Sequence, residues 1–393
     1  MTQTLRTPET KTASRREHPM TTYYLLTGST ILLLVLGLAM VLSASTIVSL
    51  QEHGSAYTLW FRQVMFAIFG LIVMFAASRM SVASYRKLAY PLMVFSLVTL
   101  VLVLFIGHAV AGQRNWIEIY GPFRLQPSEF AKLAFVLWAA DLVVRKQNLM
   151  NQWKHLLVPV VPVGLLIVLL VLAEGDFGTA IIILPMIGAV LFVNGAPMRI
   201  FGLGAVGVLA LVAVQSLTKG YRMDRIHYWL HPEDDPMGKG FQLLQARAAM
   251  GSGGWFGLGL GASREKWVGL PEAHTDFIYS VVGEELGLFG SLLVICLFAT
   301  IIIAGLRLAM RTTDPFVRTA SAAAVAWIST QALLNLCAVL QLLPITGVPL
   351  PLVSYGGSSL VPTLFVLGML MSFARIEAGR PARERPAARA SAR

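Results

Sequence analysis

The sequence predicts an all-α, polytopic membrane protein with about ten transmembrane helices, and three observations predict it. Hydrophobic residues make up 56% of the 393 and charged residues only 13%, against about a quarter charged in a soluble domain. Apolar runs recur at 23–50, 59–78, 86–107, 128–144, 156–173, 178–194, 199–217, 276–306, 317–341 and 359–374, each long enough, or nearly so, to cross about 30 Å of hydrocarbon. The basic residues also alternate sides. With the N-terminus in the cytoplasm, the inner segments hold 20 of the 31 Lys and Arg. Seven of the other 11 lie in one long loop, 218–275, and long loops weigh little in the positive-inside rule. Both termini are therefore expected in the cytoplasm, with a large extracytoplasmic loop between helices 7 and 8.

The chain then divides into a polar tail, 1–20, a ten-helix membrane domain, 21–376, with its outer loop 218–275, and an Ala/Arg/Pro-rich tail, 377–393. Both tails read as disordered. The net charge of +11 comes from loops and tails, so the basic excess implies no nucleic-acid partner. Cys296 and Cys337 lie in apolar runs and read as small buried hydrophobes, and no His/Cys cluster has zinc spacing. No duplicated half is evident, which weakens an inverted-repeat transporter.

Taken in order, the third connection reads AGQRNWIEIYGPFRLQPSEFAK. Pro127 suits the first turn of helix 4, where Glu129 favours the helix dipole. Glu129 and Lys132 are three apart and share a face, either as an ion pair fixing the top of the helix or as catalytic groups. Arg114 and Arg124 read as anion-binding or as solvated arginines, and Trp116 as an interfacial anchor. Helices 5 and 6 contain Pro159, Pro162 and Pro185, which predict kinks. Between them, EGDFGTA places Glu174 and Asp176 at the outer surface, Asp176 as a helix cap. In the long loop, Glu233, Asp234 and Asp235 form an acidic turn, read as a solvated turn before a divalent-ion site. The glycine run 251–261 lacks the Gly-Lys-Ser/Thr ending of a P-loop, which argues against ATP; its expected role is mobility as substrate enters.

Polarity concentrates at the start of helix 8, in ASREKWVGLPEAHTDFIYSVVGEELG. Arg264 and Lys266 supply positive charge, and Glu272, His274 and Asp276 follow within five residues. Asp276 reads as an N-cap on its own. Glu284 and Glu285 lie about 12 Å further along the helix, where a carboxylate needs a partner or a cavity. Helical phase places Glu284 on the Asp276 side, facing a cavity, and Glu285 toward another helix. Last, QLLPITGVPLPLVSYGGSSL carries three prolines and no charge and reads as a packed outer loop closing the cavity, with Ser354, Tyr355, Ser358 and Ser359 offering hydrogen bonds.

Six stretches in order, RNWI (114–117), QPSEFAK (126–132), EGDFGTA (174–180), GSGGWFGLGLGAS (251–263), LPEAHTDFIYSVVGEELG (270–287) and LLPITGVPLPLVSYGGSS (342–359), resemble the SEDS family of shape, elongation, division and sporulation proteins. The resemblance implies a peptidoglycan glycosyltransferase that polymerises lipid II at the outer face of the cytoplasmic membrane. It also implies a class B penicillin-binding protein and other divisome proteins as partners, and a septal location if the division branch is the right one. In the family the Asp of the HTDF motif is the catalytic residue, which falls on Asp276, and the Trp of RNW falls on Trp116. Arg114, Lys132, Arg264 and Lys266 would supply positive charge to the pyrophosphate of undecaprenyl-pyrophosphate-linked glycan, assisted if needed by a divalent cation such as Mg or Mn. Glu129, Glu272, His274, Glu284 and Ser358 complete the expected substrate site. LPEAHTDF and the closing MSFAR look more like the division branch; VPLPLVSYGGSS is shared with the elongation branch. The competing readings are the elongation paralogue, a lipid II flippase and a non-catalytic division scaffold.

Overall fold

A computed structural model describes residues 20–110, 113–120, 123–147, 154–218, 220–238, 240–264 and 271–379. All ten apolar runs fold as helices. They are α1 (Thr21–His53), α2 (Thr58–Arg79), α3 (Val82–Ile106), α4 (Pro127–Arg145), α5 (Lys154–Ala173), α6 (Phe177–Val193) and α7 (Met198–Thr218), then α10 (Ile278–Arg311), α11 (Pro315–Val339) and α12 (Gly357–Gly379). Seven of these are long and apolar enough to cross a membrane. α6 is shorter, as is the apolar stretch Met198–Ala210 of α7, while α4 carries Glu129, Lys132, Asp141 and Arg145. The two tails fall largely outside the described residues, as does Lys266.

Two connections are more ordered than loops. β1 (His108–Val110), β2 (Gln113–Tyr120) and β3 (Phe123–Leu125) form a three-stranded antiparallel sheet, a small departure from an all-α fold. Trp116, Ile117, Ile119 and Tyr120 give QRNWIEIY the aromatic and β-branched content of a strand, and Glu118 pairs across strands with Arg124 at 3.2 Å. The long loop contains α8 (Gly220–Leu230), a 3-10 turn (Pro232–Asp234) and α9 (Phe241–Ser252). In that acidic turn Asp234 meets His227 at 3.1 Å, and Glu233 lies 3.9 Å from Arg247, as solvated ion pairs do.

α11 lies inside the bundle against α4, α6 and α10, and α12 packs on α2. Their buried faces join one apolar core. The outer faces are apolar too: Phe61, Ile68, Phe69, Ile72 and Phe75 of α2 are all exposed, the pattern of a helix facing lipid. That inverted surface explains the cysteines. Cys296 is exposed rather than buried and Cys337 half-buried, both as free thiols. Pro159, Pro162 and Pro185 lie inside continuous helices, and the residue that breaks helical geometry within a span is Gly287 of α10 (φ 66°, ψ −161°).

Candidate active site

Asp276 precedes α10, in the turn 271–277, yet does not cap it. Phe277 occupies the N-cap, and no side chain accepts a capping hydrogen bond there. Main-chain bonds to Glu272 O from Thr275 N (3.2 Å) and Phe277 N (3.1 Å) coil the turn. The Asp276 carboxylate is left half-buried, with no hydrogen-bond partner among the described residues and with Gly347 of the closing loop against it.

That turn is clamped from two elements. Asn335 of α11 donates to both Asp276 O and Val348 O at 2.8 Å. Ser354 Oγ donates to Thr275 O (2.6 Å) and accepts from Leu350 N (2.8 Å), while Tyr355 N donates to His274 O (2.9 Å). One turn from Asn335, Gln331 donates to Pro349 O at 3.1 Å. Its Oε1 accepts from Trp327 Nε1 (2.7 Å) and from Lys132 Nζ (2.9 Å). The chain from Lys132 to the Asp276 turn is therefore continuous through α11 and the closing loop.

Several ionisable groups surround the carboxylate. Burial pushes Asp276 up to about 7; Glu272 reinforces this, Arg225 of α8 opposes it and Asp176 adds to it. Burial lowers His274, against Glu272 and Glu52, so the ring is neutral at pH 7; it lies 5.6 Å from the Tyr355 ring. Burial raises the Tyr355 phenol, opposed by the positive charges of Arg62 and Arg124. Glu174 is buried, both its oxygens lack a partner among the described residues, and burial with Asp176 nearby lifts it to about 9. Its main-chain oxygen accepts from Arg114 N at 2.9 Å, which joins β2 to the α5–α6 turn.

The expected site residues separate into groups. Asp276, Glu272 and His274 share one turn, with Glu272 exposed and its carboxylate accepting from Thr275 Oγ1. Arg114 is exposed and Trp116 half-buried on β2 at the same end of the bundle. Ser358, in the first turn of α12, has a buried hydroxyl with no partner among the described residues. Asp176 caps α6 through Thr179 N at 2.9 Å and also accepts from Gln126 at 3.0 Å.

Two expectations need correction. Lys132 is wholly enclosed, bonded to Glu129 at 2.8 Å and stacked 4.8 Å over Trp327, so its ammonium cannot reach a leaving pyrophosphate. Glu284 faces no cavity: it accepts from Ser263 Oγ (2.5 Å) and Arg264 N (2.6 Å). The reason is the glycine segment, whose main-chain donors need buried acceptors. Glu285 accepts from Gly261 N (2.9 Å), from Ser263 N (3.3 Å) and from Ser43 of α1 (2.5 Å), the interhelix partnership that helical phase suggested. Arg264 itself is exposed.

Arg62, Arg225 and Asn335 escaped sequence reading. Gln331 and Asn335 did leave a signal, two amides one turn apart in an otherwise apolar run. Arg225 left none, since nothing in the long loop marks which of its cations folds back. Among the described residues, no group of three or more His, Cys, Asp or Glu is placed to hold a divalent ion.

The cell cycle protein family of FtsW, RodA and SpoVE matches residues 23–378. The chain belongs to that family. It is 39% identical to the probable peptidoglycan glycosyltransferase FtsW of Mycobacterium tuberculosis over 372 residues, covering 94% of this chain and 71% of that one. Stage V sporulation protein E of Bacillus subtilis is 36% identical over 349 residues (88% and 95% covered). Among solved structures, a chain of a peptidoglycan synthase complex that coordinates polymerization and crosslinking superposes with a TM-score of 0.72 at 29% identity, covering 90% of this chain and 97% of that one. The rod shape determining protein RodA of Thermus thermophilus follows at 0.65 and 28%, covering 90% and 96%.

Proposed function

We propose that this protein is a peptidoglycan glycosyltransferase of the division type, polymerising lipid II at the outer face of the membrane beside a class B penicillin-binding protein. The observation that carries the reading is the Asp276 carboxylate, free of hydrogen bonds among the described residues and held by clamps on the main chain to either side. The FtsW relatives and the synthase-complex neighbour support the substrate and the partner class.

In this mechanism the acceptor sugar's 4-hydroxyl attacks C1 of the donor's MurNAc. The new C1–O4 bond forms as the C1–O bond to the pyrophosphate breaks, and its electron pair leaves with undecaprenyl pyrophosphate. The hydroxyl proton passes to Asp276, a base with a pKa poised near working pH. One direct displacement inverts the anomeric centre, turning an α-linked donor into a β-linked glycan. Fixed cations offset the charge developing on the leaving group; with Lys132 enclosed, Arg225, Arg62 and Arg124 take that role at the site. The test is polymerisation of lipid II by purified protein with its transpeptidase partner. Asp276→Ala and Asp276→Asn should each lose at least about 100-fold, the scale of general-base catalysis. Full activity in either would overturn the assignment.

A further inference from the structure

At the end of the bundle opposite Asp276, the first turns of α3 and the last turn of α4 form an open cleft of about 270 Å³ lined by Ala83, Arg86, Lys87, Asp141 and Arg145. Asp141 is wholly buried there and bridges two arginines: Arg86 Nε donates to Oδ1 at 2.6 Å and Arg145 Nε to Oδ2 at 2.5 Å. Each guanidinium thus spends its Nε on Asp141, while its terminal Nη groups donate to no acceptor among the described residues. Arg145 is further held over the Tyr90 ring at 4.7 Å. Lys87 has no anionic partner among the described residues. One carboxylate against three cations leaves two positive charges uncompensated, with their donors held in place.

We propose that this cleft binds the phosphate of an anionic phospholipid. Two guanidiniums anchored on one carboxylate, each with spare donors, suit a phosphate oxygen pair. The volume matches a head group; sites for larger ligands run from about 300 Å³ upward. What selects a lipid over a soluble anion is the surface next to the cleft. From Lys87 the same face of α3 continues through Tyr90, Val94, Val98, Val101 and Phe105, spaced three or four apart and all exposed. This apolar ridge runs along the helix away from the phosphate site, where acyl chains would lie. Basic pockets between helix ends on the cytoplasmic side hold anionic head groups in the same way.

Native mass spectrometry of the full chain, released from detergent after exchange into phosphatidylglycerol or phosphatidylcholine of equal chain length, tests this. Phosphatidylglycerol should be retained preferentially. Lys87→Gln should cut that retention about five-fold, the effect of one cation near a membrane surface, without touching phosphatidylcholine. Lys87 is exposed, so the variant folds normally. Arg199→Gln, the same charge change on an exposed residue of α7, should leave retention unchanged. Equal retention of the two lipids, an unaffected Lys87→Gln, or an equal loss in Arg199→Gln would overturn the proposal. Displacement of the lipid by millimolar inorganic phosphate would assign the cleft to a soluble anion instead.

Discussion

At Asp276 the chain forgoes a capping hydrogen bond that an aspartate at a helix start usually makes. Phe277 takes the cap position, and the freed carboxylate titrates near 7 because protein surrounds it while Glu272 and Asp176 repel its charge. A base must be ionised, so polymerisation should rise with pH through about 7 and level off above it. Glu272 raises this group, so Glu272→Gln should move the acid limb to lower pH; Arg225 lowers it, so Arg225→Gln should move the limb upward. Limbs that stay put in both variants would show that Asp276 does not govern the profile. Glu174 makes a different prediction. Its ordinary value is 4.5 and its folded value about 9, so between these the folded protein holds a proton that the unfolded chain has released. Stability contributed by this neutral acid is complete below about pH 4.5 and falls by about 1.4 kcal/mol per pH unit up to about 9. Thermal unfolding of Glu174→Gln across that range should lack this share of the slope. Asp276 and Glu174 read alike in the sequence, each a carboxylate beside a helix start. Their ionisation was not legible because it depends on what the closing loop and β2 bring next to them.

Among the elements, the glycine run 251–261 reads in the sequence as supplying mobility as substrate enters. Two of its glycines have a packing role: a Cβ on Gly253 or Gly257 would meet the α10 backbone at Gly283 or Glu285, while Gly254, Gly259 and Gly261 have open space beside them. Leu258 N and Gly259 N donate to Glu284 O and Glu285 O at 2.9 and 3.0 Å, and Leu288 N donates back to Gly254 O at 2.9 Å. α10 can exchange these bonds because it breaks at Gly287, in a backbone region open essentially to glycine alone. A Cβ on Gly287 would stand 2.4 Å from Gly257 N, and one on Gly257 2.1 Å from Glu285 O. Gly287→Ala should therefore cost at least about 2 kcal/mol through backbone strain, before any clash is relieved. A detergent thermal scan reads it, and an unchanged midpoint would mean that the loop and the kink are not one unit. Periodicity placed every span within a few residues, because the hydrophobic pattern is local. Which acceptors the glycine loop would use was a tertiary fact. Two adjacent glutamates in a helix said only that partners were required.

Across the whole molecule, the two ends differ in chemistry. Carboxylates, amides and main-chain clamps gather at the Asp276 end, while the other end carries Arg79, Arg86, Lys87, Arg145, Lys154, Arg199, Arg307, Arg311 and Arg318 with few acids to balance them. A flippase would need polar groups open to substrate along the passage between these ends. Lys132 is instead enclosed within the bundle and bonded to Glu129 and Gln331. That asymmetry fits chemistry at one face and a membrane orientation fixed by the other. The orientation itself can be read with a membrane-impermeant maleimide, after Cys296 and Cys337 are replaced by Ala. Tyr57→Cys, exposed between α1 and α2 at the Asp276 end, should label in intact spheroplasts. Thr313→Cys, exposed between α10 and α11 at the opposite end, should label only after lysis. The reverse result would place Asp276 on the cytoplasmic side, where a polymerase of exported lipid II has no substrate, and the glycosyltransferase reading would fall with it.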